Sequence, residues 1–307
     1  MTQSRNNQIF IVQMLNQKLQ NSADKKFLNQ ELCFFKTNQG SYAQKDFFMG
    51  IRVPVLRKIA RDFLKSDHFP DFEQLNLNRA PDFEQPNLYS SPDFERRHNK
   101  HDYKLHSKYK DFKGIIKIFL FSKWHEKRLF SLILITEVFK KYQKNFEKNL
   151  HICKDLYSLY LNCIDQVNNW DLVDLSAPAV SGAWLYEFSN YKNKGKYLWY
   201  PDFDILNTLA HSKNLWKKRI SIVSTLYFIK KGFTDKTYEI AEILLNDPHD
   251  LIHKATGWML REAGKIDIEA EKDFLKKNYY ILSRTCLRYA IEKFPEPERK
   301  KWLKNPV

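Results

Sequence analysis

Trp170 and Asp174 stand four residues apart in the run Trp170-Asp171-Leu172-Val173-Asp174-Leu175-Ser176-Ala177-Pro178. On a helix that spacing places the indole and the carboxylate on one face. The negative face of an aromatic ring beside a full negative charge suits a cationic sugar or base. The same residues also fit a blander role, with Asp171 or Asp174 capping a helix, Trp170 in a core and Pro178 at a helix boundary. A second stretch, Asp250 to Glu262, sets Lys254, Trp258 and Arg261 at i, i+4 and i+7. Two cations flanking an indole on one stripe can hold phosphates while the ring packs on a sugar or base. Snorkelling side chains around a half-buried tryptophan give the same pattern. Trp216-Lys217-Lys218-Arg219 gathers three cations at a predicted helix start, where backbone N–H groups also attract anions. Ser283-Arg284, followed by Arg288, has the same character.

The elements that must carry these residues read as helices. Only 8 glycines and 11 prolines punctuate 307 residues, too few for a strand-and-turn architecture with a reversal every dozen residues. Leu129, Leu132, Ile133 and Phe139 mark a buried face within Lys123 to Lys141, whose Lys127, Arg128, Lys140 and Lys141 face solvent. Leu215 to Lys231, Asp235 to Asn246 and Asp250 to Ala263 read as successive helices, split at Gly232 and at Asp247-Pro248. Connectors this short make antiparallel neighbours. The expected class is therefore all-α, an α-α superhelix of helical repeats forming a single domain over residues 1–307.

One segment breaks the pattern. Pro70-Asp-Phe-Glu-Gln, Pro81-Asp-Phe-Glu-Gln and Pro92-Asp-Phe-Glu-Arg recur every 11 residues. A proline in each unit excludes a continuous helix, so residues 66–110 read as a low-complexity loop inserted into the helical body. That segment holds 7 Lys/Arg and 8 Asp/Glu, so of the net charge of +15 the remainder of the chain carries +16. A strongly basic body favours a polyanionic partner, because cations displace condensed counterions from phosphates. Cys33, Cys153, Cys163 and Cys286 lie far apart, without zinc-ligand spacing, and read as buried thiols. No signal peptide or membrane-spanning run is visible, and no metal or cofactor is expected.

Taken in order, Tyr42, Gly50-Ile51-Arg52-Val53-Pro54, Trp170-Asp171-Leu172-Val173-Asp174, Lys218-Arg219, Gly257-Trp258-Met259-Leu260-Arg261-Glu262 and Ser283-Arg284 to Arg288-Tyr289-Ala290-Ile291 resemble the AlkD branch of the DNA alkylation repair glycosylases. The resemblance spans the chain apart from residues 70–110. It implies HEAT-like repeats and hydrolytic release of cationic N3- or N7-alkylated purines from duplex DNA, without insertion of the base into a pocket. It makes Asp174 the catalytic carboxylate and Trp170 and Trp258 the aromatic walls around the lesion's deoxyribose. Arg219 becomes the arginine that grips the backbone at the lesion, with Lys218, Tyr42, Lys254, Arg261 and Arg284 as further DNA contacts. An alkylated purine is already a good leaving group and needs no general acid. No lysine nucleophile stands beside the motif, which points to a monofunctional enzyme. A monomer in the cytoplasm, on the nucleoid if bacterial, completes the expectation. The competing class is a helical-repeat scaffold that binds nucleic acid or protein without catalysis.

Overall fold

The computed structural model describes residues 2–69, 72, 75, 100–192 and 204–304. Every element with its own span among them is helical, and the one β-type pairing is an isolated bridge between Phe47 and Trp124. The all-α expectation therefore holds. No described helix is long and apolar enough to cross a membrane. The chain divides into two compact units, Met1–Gln166 and Val167–Val307.

In the first unit, α1 (Thr2–Asn21), α2 (Lys25–Phe34) and α3 (Val53–Leu64) precede α4 (Lys100–Leu120), α5 (His125–Tyr142) and α6 (Leu150–Asn162). α5 packs against α3, α4 and α6, and this central place explains why its burial exceeds one stripe. Leu129, Leu132, Ile133 and Phe139 are buried as expected, but so are Arg128 and Glu126. The periodicity argument had placed Arg128 in solvent. Instead its guanidinium meets Asp46 at 2.5 Å and donates to the carbonyl oxygens of Ser122 and Lys123. Glu126 Oε1 accepts the backbone N–H groups of Met49, Gly50 and Ile51 at 2.6, 2.7 and 3.2 Å. These bonds explain the Gly50-Ile51-Arg52-Val53-Pro54 motif. Gly50 has φ +78°, and a Cβ there would lie 2.3 Å from the Asp24 carbonyl oxygen, so only glycine fits. Pro54 then sits in the first turn of α3, where its missing N–H costs nothing.

The reading of residues 66–110 as a loop needs correction at its C-terminal end. Lys100–Lys110 belong to α4, whose Lys, His and Tyr content conceals its helical period. Phe72, from the first Pro-Asp-Phe-Glu unit, is fully buried; its ring meets Phe69, Tyr109 and Phe112, and its N–H donates to Tyr142 Oη at 2.7 Å. The second and third units lie outside the described residues. Cys33 also departs from expectation: it is exposed, while Cys153, Cys163 and Cys286 are buried.

The second unit opens with α7 (Trp170–Ser176), which runs through a π-helical turn (Ala177–Gly182) into α8 (Ala183–Lys192). Pro178 is thus not a boundary. It has no N–H to donate, and the chain widens locally, with Ala183 N–H reaching Pro178 O, instead of stopping. There follow α9 (Ile205–Ala210), α10 (Leu215–Lys230), α11 (Asp235–Leu244), α12 (Asp250–Gly264), α13 (Ile268–Asn278), α14 (Arg284–Ala290) and α15 (Glu296–Lys304). The three helices anticipated between Leu215 and Ala263 match to within two residues at each end.

Within this unit α10 packs on α7 and its π-turn, on α12 and on α11, while α12 packs on α14 and α13. Two short reversals bring the chain from α10 through α11 into α12, and two more bring it through α13 into α14. α10, α12 and α14 therefore have their N-terminal ends on one side, and the bonds of Arg219 to Asp174 and to the Leu251 carbonyl oxygen bring the first turns of α7 to the same side. Each end carries its own polar cap: Asn169 for α7, Asn214 for α10, His249 for α12 and Ser283 for α14.

Candidate active site

The site is built from those N-terminal turns. Asn169 Oδ1 accepts the Trp170 N–H at 2.8 Å and starts α7. The cap is thus asparagine, and Asp174, one turn inside the helix, is released from that duty. Its two carboxylate oxygens take Arg219 from α10 in a fork: Nε reaches Oδ1 at 2.9 Å and Nη2 reaches Oδ2 at 2.7 Å. The third nitrogen, Nη1, donates to the Leu251 carbonyl oxygen of α12 at 2.6 Å. One guanidinium thereby ties three helices together. The arginine side chain is 6% exposed and the aspartate 20% exposed, so the carboxylate is the member of the pair that solvent or a ligand can reach.

Burial is the main influence on Asp174 and pushes its carboxyl above the ordinary range; the Arg219 charge and hydrogen bonds pull it back down, and neighbouring Asp171 adds a small upward push. The bidentate geometry favours the ionised form, since both oxygens accept charge-assisted bonds. Trp170 lies four residues before Asp174 on the same face of α7 and is half-buried. Trp258, also half-buried, sits on α12 seven residues beyond Leu251, on the same helical face two turns away, roughly 10 Å along the axis. α10 links the helices that carry the two indoles.

The basic residues expected to meet a polyanion are more committed within the protein than the sequence suggested. Lys218 Nζ lies 2.5 Å from Asp247 Oδ2. Lys254 is paired with Asp250 at 2.6 Å, one turn back on α12. Arg261 bonds Glu292, and Glu262 at 3.3 Å. Arg284 Nη2 donates to the Leu303 carbonyl oxygen at 2.5 Å. Arg219, expected on a bound backbone, is the buried partner of the carboxylate. The N–H groups of Trp216 and Lys217 at the start of α10 are taken by Asn214 Oδ1 at 2.8 and 3.3 Å, so that end offers fewer open donors than the sequence implied. Tyr42 is half-buried in the first unit, between α2 and α3.

The sequence reading missed the turn Asn246-Asp247-Pro248-His249. Asp247 anchors Lys218 through Oδ2 and the His249 N–H through Oδ1 at 2.9 Å, and its backbone carbonyl oxygen bonds His253 Nε2 at 2.5 Å. His249 Nδ1 accepts the Leu251 N–H at 3.1 Å, which requires a neutral ring at that nitrogen. Burial, joined by the nearby Arg219 and His253 charges, lowers the His249 pKa, while Asp247 and Asp250 oppose it. The turn fixes the residue that holds Arg219. The signal was in the sequence as an Asp-Pro-His-Asp cluster before an amphipathic helix, but it read only as a break.

Among the described residues no three His, Cys, Asp or Glu side chains form a metal-binding group. A carboxylate locked by an arginine, with an indole one turn away, can stabilise a cation and orient a water molecule.

Residues 90–294 match the family model for DNA alkylation repair enzymes. No curated protein matches. Among solved structures, a predicted DNA alkylation repair enzyme from Enterococcus faecalis has a similar fold, with a TM-score of 0.57 and 14% identity over 90% of this chain and 98% of that one. The matched span holds Trp170, Asp174, Arg219 and Trp258, whereas Tyr42 and Gly50 to Pro54 precede it. With about two thirds of its length covered by that model, the chain belongs to the DNA alkylation repair enzyme family.

Proposed function

We propose that the protein is a monofunctional DNA-alkylpurine glycosylase that hydrolyses the N-glycosidic bond of cationic N3- or N7-alkylated purines in duplex DNA, without drawing the base into a pocket. The observation that carries this reading is the Asp174 carboxylate, partly exposed and held on both oxygens by buried Arg219. A pair that served stability alone would gain nothing from leaving the acid accessible.

Alkylation places a positive charge on the purine. When the C1′–N bond breaks, its electron pair returns to the base, which leaves neutral, and the positive charge moves to the sugar as an oxocarbenium ion. Ionised Asp174 stabilises that cation, and the faces of Trp170 and Trp258 do the same through their ring quadrupoles. Water adds to C1′ and loses a proton, leaving an abasic site. Asp174 accepts a hydrogen bond from that water and so aims it. The protein selects for charge on the base and for the sugar, which removes the need for base-edge contacts. Lys218, Lys254, Arg261 and Arg284 reach phosphates by exchanging internal partners, and Tyr42 adds a contact from the first unit. We read the enzyme as a cytoplasmic monomer.

The test is release of free base from a methylated duplex by wild type and Asp174→Asn, with DNA affinity measured for both. Losing one preorganised electrostatic group should slow release roughly a hundredfold or more while binding persists. Salt-sensitive binding by wild type with no base release would instead support a helical-repeat DNA scaffold without catalysis.

A further inference from the structure

The connection from α13 to α14 ends in an exposed pair. Tyr280 is 89% exposed and Ile281 49% exposed, although both are large and apolar enough to be drawn inward. A lone exposed tyrosine needs no explanation. This one is held out by a scaffold. Tyr279, beside it, packs its ring edge-on against Tyr280 with centroids 5.6 Å apart and anchors its own hydroxyl on the Trp302 carbonyl oxygen at 2.9 Å. On the other side, the N–H groups of Ile281 and Leu282 both return to the Asn278 carbonyl oxygen at 3.0 Å, and buried Leu282 pins the turn. Ser283 Oγ then caps α14 by accepting the Cys286 N–H at 3.1 Å. The tip is a fixed turn that presents a ring to solvent.

Its surroundings are mildly cationic: from Phe274 to Ile291 the chain holds Lys276, Lys277, Arg284 and Arg288 and no acidic residue, although Lys277 is paired with Glu242 at 2.8 Å and Asp273 and Glu292 bound the stretch. The tip also stands at the N-terminal end of the layer that carries the site. Thr285, in the first turn of α14, lies beside Asp250 in the first turn of α12, and Leu251 next to Asp250 holds Arg219. An apolar prong among cations, on the same side as a carboxylate site, suits a partner whose apolar sugar faces lie between phosphates.

We propose that Tyr280, backed by Ile281, is a DNA-contacting prong that packs on the deoxyribose faces of the duplex backbone beside the site at Asp174. This rests on the glycosylase reading and adds to it a specific contact outside the carboxylate site. Packing of this kind is tolerant of sequence, because every nucleotide carries the same sugar. It fits an enzyme that must hold damaged DNA of any sequence.

The experiment is a fluorescence-anisotropy titration of a labelled methylated duplex with the full chain, across a salt series, for wild type, Tyr280→Ser and Tyr280→Phe. Loss of the buried ring area should weaken binding by roughly fivefold or more. The slope of log affinity against log salt should stay as in wild type, because no phosphate-neutralising charge has been removed. Tyr280→Phe should keep most of the affinity, since it keeps the ring. Tyr280→Ser binding as tightly as wild type, with wild type itself binding DNA and releasing base, overturns the prong and leaves the glycosylase reading intact. Wild type that binds no duplex overturns both.

Discussion

Asp174 and Arg219 act as one group, and their pH behaviour follows from the pair. Burial raises the carboxyl's pKa and Arg219 opposes that rise, so the acid limb of kcat should lie above the range of an ordinary aspartate. On the proposed mechanism activity needs the ionised form, so it should fall as pH drops through that raised value. Arg219→Lys keeps a charge but cannot make the two parallel bonds. With less stabilisation of the carboxylate, the acid limb should move to still higher pH, and a pH–kcat profile on methylated duplex measures the shift. An unmoved limb would mean that Arg219 does not govern the titration. Trp170, Asp174 and Trp258 are named as candidates by spacing and family resemblance. The bidentate bond was not legible, because nothing in Lys218-Arg219 says which of two adjacent cations turns inward. Packing decides it: Arg219 lies on the α10 face toward α7 and α12, while Lys218 reaches Asp247.

Helix order was the most legible feature at the scale of elements, since α11 and α12 each show an apolar stripe and α10, though buried on most sides, lies between clear breaks. α5 and α4 show where the reading fails. A helix surrounded on most sides loses its stripe, and one rich in Lys, His and Tyr hides its period. The place of Gly257 beside Trp258 is also explained only by packing. A Cβ at Gly257 would lie 2.4 Å from the Cys286 carbonyl oxygen, so α12 and α14 approach each other there more closely than an alanine permits. Gly257→Ala should gain about 1 kcal/mol of helix propensity but lose roughly 1–3 kcal/mol to overpacking against backbone. The expected net result is a lower thermal midpoint, read by circular dichroism or calorimetry. An unchanged or raised midpoint would show that α14 can shift at little cost.

The whole molecule is strongly basic, yet several of its best-placed cations are already paired internally. Lys218, Lys254 and Arg261 each touch a carboxylate of the same chain. DNA affinity should therefore fall with salt less steeply than a count of surface lysines suggests, since each phosphate neutralised contributes a slope of only about 0.9 and a paired cation must first surrender its partner. A log–log salt series on an undamaged duplex measures this, and Asp247→Asn, which frees Lys218, should steepen it by about one. Composition revealed the sign of the partner but not this internal neutralisation, which depends on residues distant in sequence. The same neutralisation solves a difficulty at the site itself. A polyanion approaching a carboxylate meets repulsion that falls off only slowly with distance, whereas a carboxylate fused to a guanidinium is seen from afar as a dipole, whose field decays faster. On the proposed function, the duplex therefore docks without being turned away by Asp174. Once a sugar lies against the exposed oxygen edge, it is nearer to the negative end than to the positive one, and the attraction returns where the cation forms.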